Sequence, residues 1–310
     1  MKIKLYVAFS TVMFLSSFSS VYAEEKPAAA SKTVQDVYPD LTRGVLSYAS
    51  LKTLPANILL QAEGVRFTQE DIDKIIASQP ETAREDLKKN AFFVLEQEAT
   101  RRILLSQAKK VISQPLAAIP KEDSALITQF FETAVFKTVE VTDAEIKDFY
   151  EKNKELCGGA TLDQIGTSLK EYLISQKKQQ MAADYIRDLG KQIPIQVSES
   201  WVKQQAVLVF DNSVDNARQS KKPSMVDFGA SGCRPCDMMT PILETLRKKY
   251  EGKANVLFIH VREQQFLALR YGVQSIPIQV FFDKDGKEVF RHAGFFPQEE
   301  IEKKLKELGV

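Results

Sequence analysis

The chain has 310 residues, enough for two domains of ordinary size. Its 42 Lys and Arg and 41 Asp and Glu side chains are interspersed and leave a formal net charge of +1, which gives no electrostatic footprint for nucleic acid or an anionic surface. Three cysteines are too few for a disulfide-stapled scaffold, and an odd number leaves one thiol unpaired in the monomer.

Lys2 and Lys4 give a short basic start, and Leu5 to Phe18 form an apolar and small-residue run that falls short of the roughly 20 residues a spanning helix needs. Val21, Tyr22 and Ala23 precede an abrupt switch to Glu24, Glu25 and Lys26. The pattern predicts a signal peptide over residues 1–23, cleaved on export to the periplasm; an uncleaved membrane anchor is the other use such a run has. Residues 24–40, with "EEKPAAASKTVQD", are rich in Ala, Lys, Pro and Ser and predict a flexible leader.

Residues 41–197 read as all-α. Thr68 with Asp71 makes a capping box for "TQEDIDKIIAS", and Pro80 opens the next helix. Phe92, Leu95, Ala99 and Ile103 recur every three or four residues in a long buried helix that reaches Ile112 and that Pro115 closes. A further apolar helix is expected from Lys121 to Thr138, and one capped by Thr142 and Glu145 ends near Lys154. A last long helix spans residues 161–191, where a stripe of Ile165, Leu169, Tyr172 and Leu173 fades into a polar "QKKQQ" that predicts a partly solvated middle.

From about Val202 the texture changes to short β-rich runs, "AVLVF", "SMVDF", "NVLFIHV", "IQVFF" and "KEVFRH", separated by helical ones. Such alternation predicts an α/β domain over residues 198–310, with the turn "DKDGK" from Asp283 joining two strands as a hairpin. The fold class expected is therefore two-domain, an all-α region followed by an α/β one.

Cys233 and Cys236 are separated by two residues and stand between the strand "SMVDF" and the helical stretch "DMMTPILETLRKKY". A helix N-terminus favours negative charge, so it stabilises the thiolate of Cys233, and Arg234 between the sulfurs adds a fixed positive charge. Cys236, one turn deeper, is placed to attack a mixed disulfide on Cys233 and needs no cofactor to do so. A metal clamp calls for four ligands, whereas this pair supplies two, and the chain has no second such pair and only His260 and His292. A purely structural disulfide over so small a loop constrains the unfolded chain weakly. A cysteine protease needs a positioned His, and neither histidine has an orienting motif.

With "VDFGASGCRPC", "YGVQSIP" and "HAGFFPQEEI" in order, residues 202–310 resemble the thioredoxin family. The resemblance implies that Cys233 is the nucleophile, Cys236 the resolving thiol and Asp227 the buried carboxylate that handles the proton of Cys236. It also implies that Pro277 is a cis-proline facing the disulfide, with the Ile276 backbone and Arg234 on the substrate side. Strand-end capping by Asp227 and strand initiation by Pro277 are the plainer uses of these residues. The sequence departs from the family at Gly229 and Gly232, where tryptophans are usual, at Phe258 in place of a buried lysine, and at Ile278 in place of threonine. Met238 and Met239 read as core or as a soft contact surface.

The N-terminal stretches "VRFTQEDIDKII", "LEQEATRRILLSQAKK", "VTDAEIKDFYEKNKE" and "LKEYLISQKKQQMAADYIRDLGKQIPIQV" resemble the helical core of SurA-type periplasmic chaperones, with only "LCGGATLDQIG" where a parvulin domain usually sits. This resemblance implies a cradle for non-native chains without prolyl isomerisation; a dimerisation arm, making a homodimer, is the other use. Cys157, beside Gly158 and Gly159, is expected to be exposed and is given no catalytic role. The function expected is a periplasmic thiol-disulfide oxidoreductase, a reductase or isomerase of disulfide-bonded client proteins, supplied with electrons by a membrane thiol reductase. A holdase with secondary redox activity and a disulfide-donating oxidase are the alternatives.

Overall fold

The structure, a computed structural model, describes residues 31–112, 122–157 and 159–310. The expected signal peptide, the leader up to residue 30, Pro115, Lys121 and Gly158 lie outside the described residues. The leader expected to run to residue 40 is ordered from Thr33, which shares a capping box with Asp36 and starts helix α1 (Val34–Val37) with Val34 fully buried.

The N-terminal half is not all-α. Strands β1 (Ser50–Lys52), β2 (Ile58–Ala62) and β3 (Val65–Thr68) precede the helices, and β4 (Gln196–Ser198) follows them. They form a sheet in the order β1-β4-β2-β3. A buried apolar run such as "ILL" cannot be told from a helix by periodicity alone. The overlooked signal is the tight turn at Glu63–Gly64, where Gly64 takes φ +70° and Ala62 pairs with Val65.

Between these strands lie α2 (Gln69–Ala77), α3 (Glu81–Lys89), α4 (Ala91–Val111), α5 (Asp123–Phe130, continued by a π turn at Phe131–Val135), α6 (Asp143–Lys152) and α7 (Leu162–Gln192). The Thr68/Asp71 and Thr142/Glu145 capping boxes form as the spacing predicts, and Phe92, Leu95, Ala99 and Ile103 are buried along α4. Along α7 only Leu189 and Gly190 are fully buried. There an ideal Cβ on Gly190 would stand 2.2 Å from the Val45 carbonyl oxygen, so the missing side chain is what lets the helix close onto that backbone.

The run "AVLVF" is helical rather than extended: it ends α8 (Glu199–Val209). Ser198 accepts from the Trp201 amide as N-cap, and Trp201, Val202, Ala206 and Val209 turn into the core of the first half while Val207 and Leu208 face out.

Beyond it come α9 (Ser213–Gln219), β5 (Ser224–Gly229), α10 (Arg234–Lys249), β6 (Asn255–His260), α11 (Gln265–Arg270), β7 (Ile278–Phe282), β8 (Glu288–Ala293) and α12 (Gln298–Glu307). The sheet order is β6-β5-β7-β8, with β6 parallel to β5 and the other neighbours antiparallel. Every residue of β5 is buried, as befits a central strand. Met225 packs with Met239, Leu243, Ile301 and Leu305 on one face, and Val226 and Phe228 pack with Val214, Leu267 and Tyr271 on the other.

Lys32 to Val310 pack as one compact body. Phe266 of α11 stacks on Phe93 of α4 at 5.8 Å. Arg218 of α9 pairs with Asp40 at 2.6 Å, and Arg43 with Glu288 at 2.7 Å. Arg270 is buried at the junction, bonded to Asp215, to the Tyr271 hydroxyl and to the Val209 carbonyl. Among the described residues no helix is long and apolar enough to cross a membrane.

Candidate active site

Strand β5 runs into the turn that carries Cys233, which becomes the N-cap of α10. Gly232 takes φ +77° with nothing among the described residues within 4 Å of an added Cβ, so glycine is there for its backbone conformation and not for space. The two cysteines form a disulfide with their Cα atoms 5.2 Å apart. Cys233 is half-buried at the surface, whereas Cys236 is 3% exposed, so an incoming group meets Cys233 first. Arg234 is exposed beside it, and Pro235 sits in the first turn of α10. The Ile276–Pro277 bond is cis, and the Ile276 carbonyl oxygen lies 3.9 Å from Cys233 Sγ. The structure thus brings Cys233, Cys236, Ile276 and Pro277 to one face.

Beneath this face four side chains form a row across the sheet, since Asp227 is in register with Phe258 on β6 and Gln279 on β7, and Gln279 with His292 on β8. Asp227 is fully buried. Its Oδ1 accepts from the Gln279 amide at 2.7 Å, while its Oδ2 and the Gln279 Oε1 have no hydrogen-bond partner among the described residues. Loss of solvent raises its pKa to about 6, against the smaller opposing pulls of the Gln279 amide and the Arg247 charge. Burial also lowers the pKa of His292, whose ring stacks on Phe296 and whose Nε2 donates to the Phe295 carbonyl at 3.0 Å.

Gly229 lies on the same strand face as Asp227, one pleat repeat further on. An ideal Cβ there would stand 2.9 Å from Phe258 Cε2 and 3.3 Å from Cys236 Cβ. The two sequence departures at Gly229 and Phe258 are therefore one feature, a phenyl ring occupying room that a larger residue at 229 would need. The side chain that serves Asp227 is Gln279, which the sequence reading missed; its signal was its place two residues after Pro277 in a strand adjoining that of Asp227.

His260 at the end of β6 was also missed. Its Nε2 accepts from the Ser231 amide at 3.2 Å and so braces the turn before Cys233, and its Nδ1 faces Glu263 at 3.7 Å. Met239 is core, its sulfur accepting from the Phe296 amide at 3.4 Å, and Met238 is half-buried. Cys157 is half-buried, not exposed, with its sulfur 3.4 Å from the Asn153 carbonyl in the turn after α6.

A thioredoxin-like domain family matches residues 210–309. The thioredoxin of Staphylococcus aureus strain Mu50 is 42% identical over 92 residues, covering 30% of this chain and 83% of that relative. The thioredoxin of strain MW2 matches with the same identity and coverage. Among solved structures, chloroplastic thioredoxin z is 26% identical, with 30% of this chain and 82% of that chain covered and a TM-score of 0.28. A relative of this identity, covered over most of its length, places this chain in the thioredoxin family, and the family model spans the residues that hold the disulfide and the cis-proline.

Proposed function

We infer that the chain exchanges disulfides with client polypeptides through Cys233. The observation that carries this reading is the asymmetry of the pair, a surface sulfur at a helix N-terminus above a buried one. In the reduced protein the Cys233 thiolate attacks one sulfur of a client disulfide, forming a mixed disulfide and releasing the other sulfur as a thiolate. Asp227 takes the proton of Cys236. The Cys236 thiolate then attacks Cys233 Sγ, releasing the second client thiolate and restoring the Cys233–Cys236 disulfide. A dithiol reductant returns that disulfide to two thiols.

The direction proposed is reduction or isomerisation in the periplasm, with a membrane thiol reductase as the electron source. The basic and apolar leader read in residues 1–23 supports that setting. The helical half is proposed to hold the client, on the strength of its sequence resemblance to SurA-type chaperones. Cys233→Ser is expected to abolish dithiothreitol-driven reduction of insulin, and retained activity would refute the assignment. Acid-quenched thiol trapping in cells then sets the direction: a mostly reduced pair supports the reductase or isomerase reading, and a mostly oxidised pair an oxidase.

A further inference from the structure

Pro235 and Ile276, chain neighbours of the redox cysteines and of Pro277, face the helical half across a cleft of about 380 Å³. One wall is Pro235 and Ile276; the other is Phe149 of α6 with Ile165, Leu169 and Tyr172 of α7. The rings of Phe149 and Tyr172 pack at 5.5 Å, yet Tyr172 stays 42% exposed, which leaves an aromatic surface turned to the cleft. Asn153 closes one end, its Oδ1 3.3 Å from where a Cβ on Gly294 would stand. Among the described residues no charged side chain lines the cleft, in a chain where 27% of residues are charged. The half-buried stripe along α7 is thus explained as a wall rather than as an incomplete core.

The geometry points to a substrate-selecting cleft whose occupant is an extended segment of a disulfide-bonded polypeptide, with a large apolar residue beside the half-cystine that Cys233 attacks. This rests on the redox reading above. Attack requires the client sulfur to reach Cys233 Sγ, 3.9 Å from the Ile276 carbonyl, and Ile276 and Pro235, which line the cleft, lead the residue beside that sulfur into it. The backbone at Ile276 lies ahead of β7 and outside its ladder, which starts at Ile278, so an extended client chain can lie along it. A helix is about 10–12 Å across and does not fit so small a space. The neighbouring client side chain then meets Leu169 and Tyr172. There an apolar group gains contact, and a charged one loses water against a described lining that offers no opposite charge, since Arg234, exposed beside Cys233, does not line the cleft. The helical half is, on this account, the source of sequence preference at the disulfide.

The test uses the full-length reduced protein in single-turnover exchange with two disulfide-linked peptides that differ only in Leu or Asp beside the cysteine, and with the small neutral hydroxyethyl disulfide. The Leu peptide is expected to react at least about tenfold faster than the Asp peptide, and Leu169→Ser or Tyr172→Ser to bring that ratio close to one. In a Cys236→Ser background, which traps the mixed disulfide, Tyr172→Trp should shift its emission with the Leu peptide. A wild-type ratio near one overturns the proposal, as does a ratio that survives both serine variants. Should wild type fail with hydroxyethyl disulfide as well, the redox reading itself falls; this result is distinct from a redox-active protein without peptide preference.

Discussion

Gln279 donates its side-chain amide to Asp227 across the register of β7 and β5, and does so where both side chains are fully buried. An amide holds the carboxylate in place without neutralising it, so the proton affinity of Asp227 is left to be set mainly by desolvation. A carboxyl poised at about 6 is well matched to accepting a proton near neutral pH.

This poise opposes stability at neutral pH. Native Asp227 holds its proton more tightly than the unfolded chain does, so its stabilising contribution is full below about pH 4 and is lost as pH rises through about 6. Asp227→Asn should raise unfolding free energy by up to about 3 kcal/mol at pH 7 and by little at pH 4, measured by urea denaturation at both values. The same variant should slow insulin reduction at pH 7 on the order of 10²-fold.

Gln279 sets where that proton is held. Gln279→Leu removes a hydrogen bond that favours the carboxylate, and should move the midpoint of the pH–rate profile above about 6. Gln279→Lys places an ammonium beside Asp227 and should move it below. Rates of insulin reduction between pH 4 and 9 give the two midpoints, and equal midpoints in the two variants would show that Gln279 does not act on Asp227.

Gly229 and Phe258 should behave as one unit. Gly229→Ala drives a methyl to 2.9 Å from the Phe258 ring and is expected to cost about 1–3 kcal/mol, a penalty for overpacking. Phe258→Leu in the same chain frees that room, so a double-mutant cycle should return a coupling of about 1 kcal/mol or more in favour of the pair. Additive effects would dissociate the two positions.

The active-site strand, turn and helix were legible because their signals are local: a β-rich run, a cysteine pair and an amphipathic helix in immediate succession. The capping boxes at Thr68 and Thr142 were legible for the same reason. What the sequence hid was relational. Gln279 becomes a partner of Asp227 only through strand register, and the Gly229–Phe258 contact exists only across β5 and β6. The strand reading of "AVLVF" failed because β-branched residues outweighed the weaker Ser198 cap, and tertiary burial of Trp201 and Val202 decided for helix. β1 and β4 are short and pair only over a long sequence separation, from Ser50 to Gln196, which no local pattern announces.

The junction between the halves carries a buried charge. Arg270 is 2% exposed and pairs with Asp215, so Asp215→Ala would leave a guanidinium without its counter-ion inside the protein. The expected cost is about 3–5 kcal/mol by urea denaturation. Replacing both, with Asp215→Ala and Arg270→Leu, should cost less than Asp215→Ala alone, because no orphan charge remains.

The Phe93–Phe266 stack and the burial of Arg270 against Val209 also bear on how the redox centre meets its clients. A redox module on a flexible tether searches for sulfurs by swinging and is limited chiefly by the length of its leash. On the proposal above, packing of this kind would instead hold the α6–α7 wall opposite Pro235 and Ile276, and the chain would work as a gauge. Client disulfides in flexible or unravelled segments would then thread the gap, while those in folded, well-packed proteins would be turned away by size before any chemistry begins.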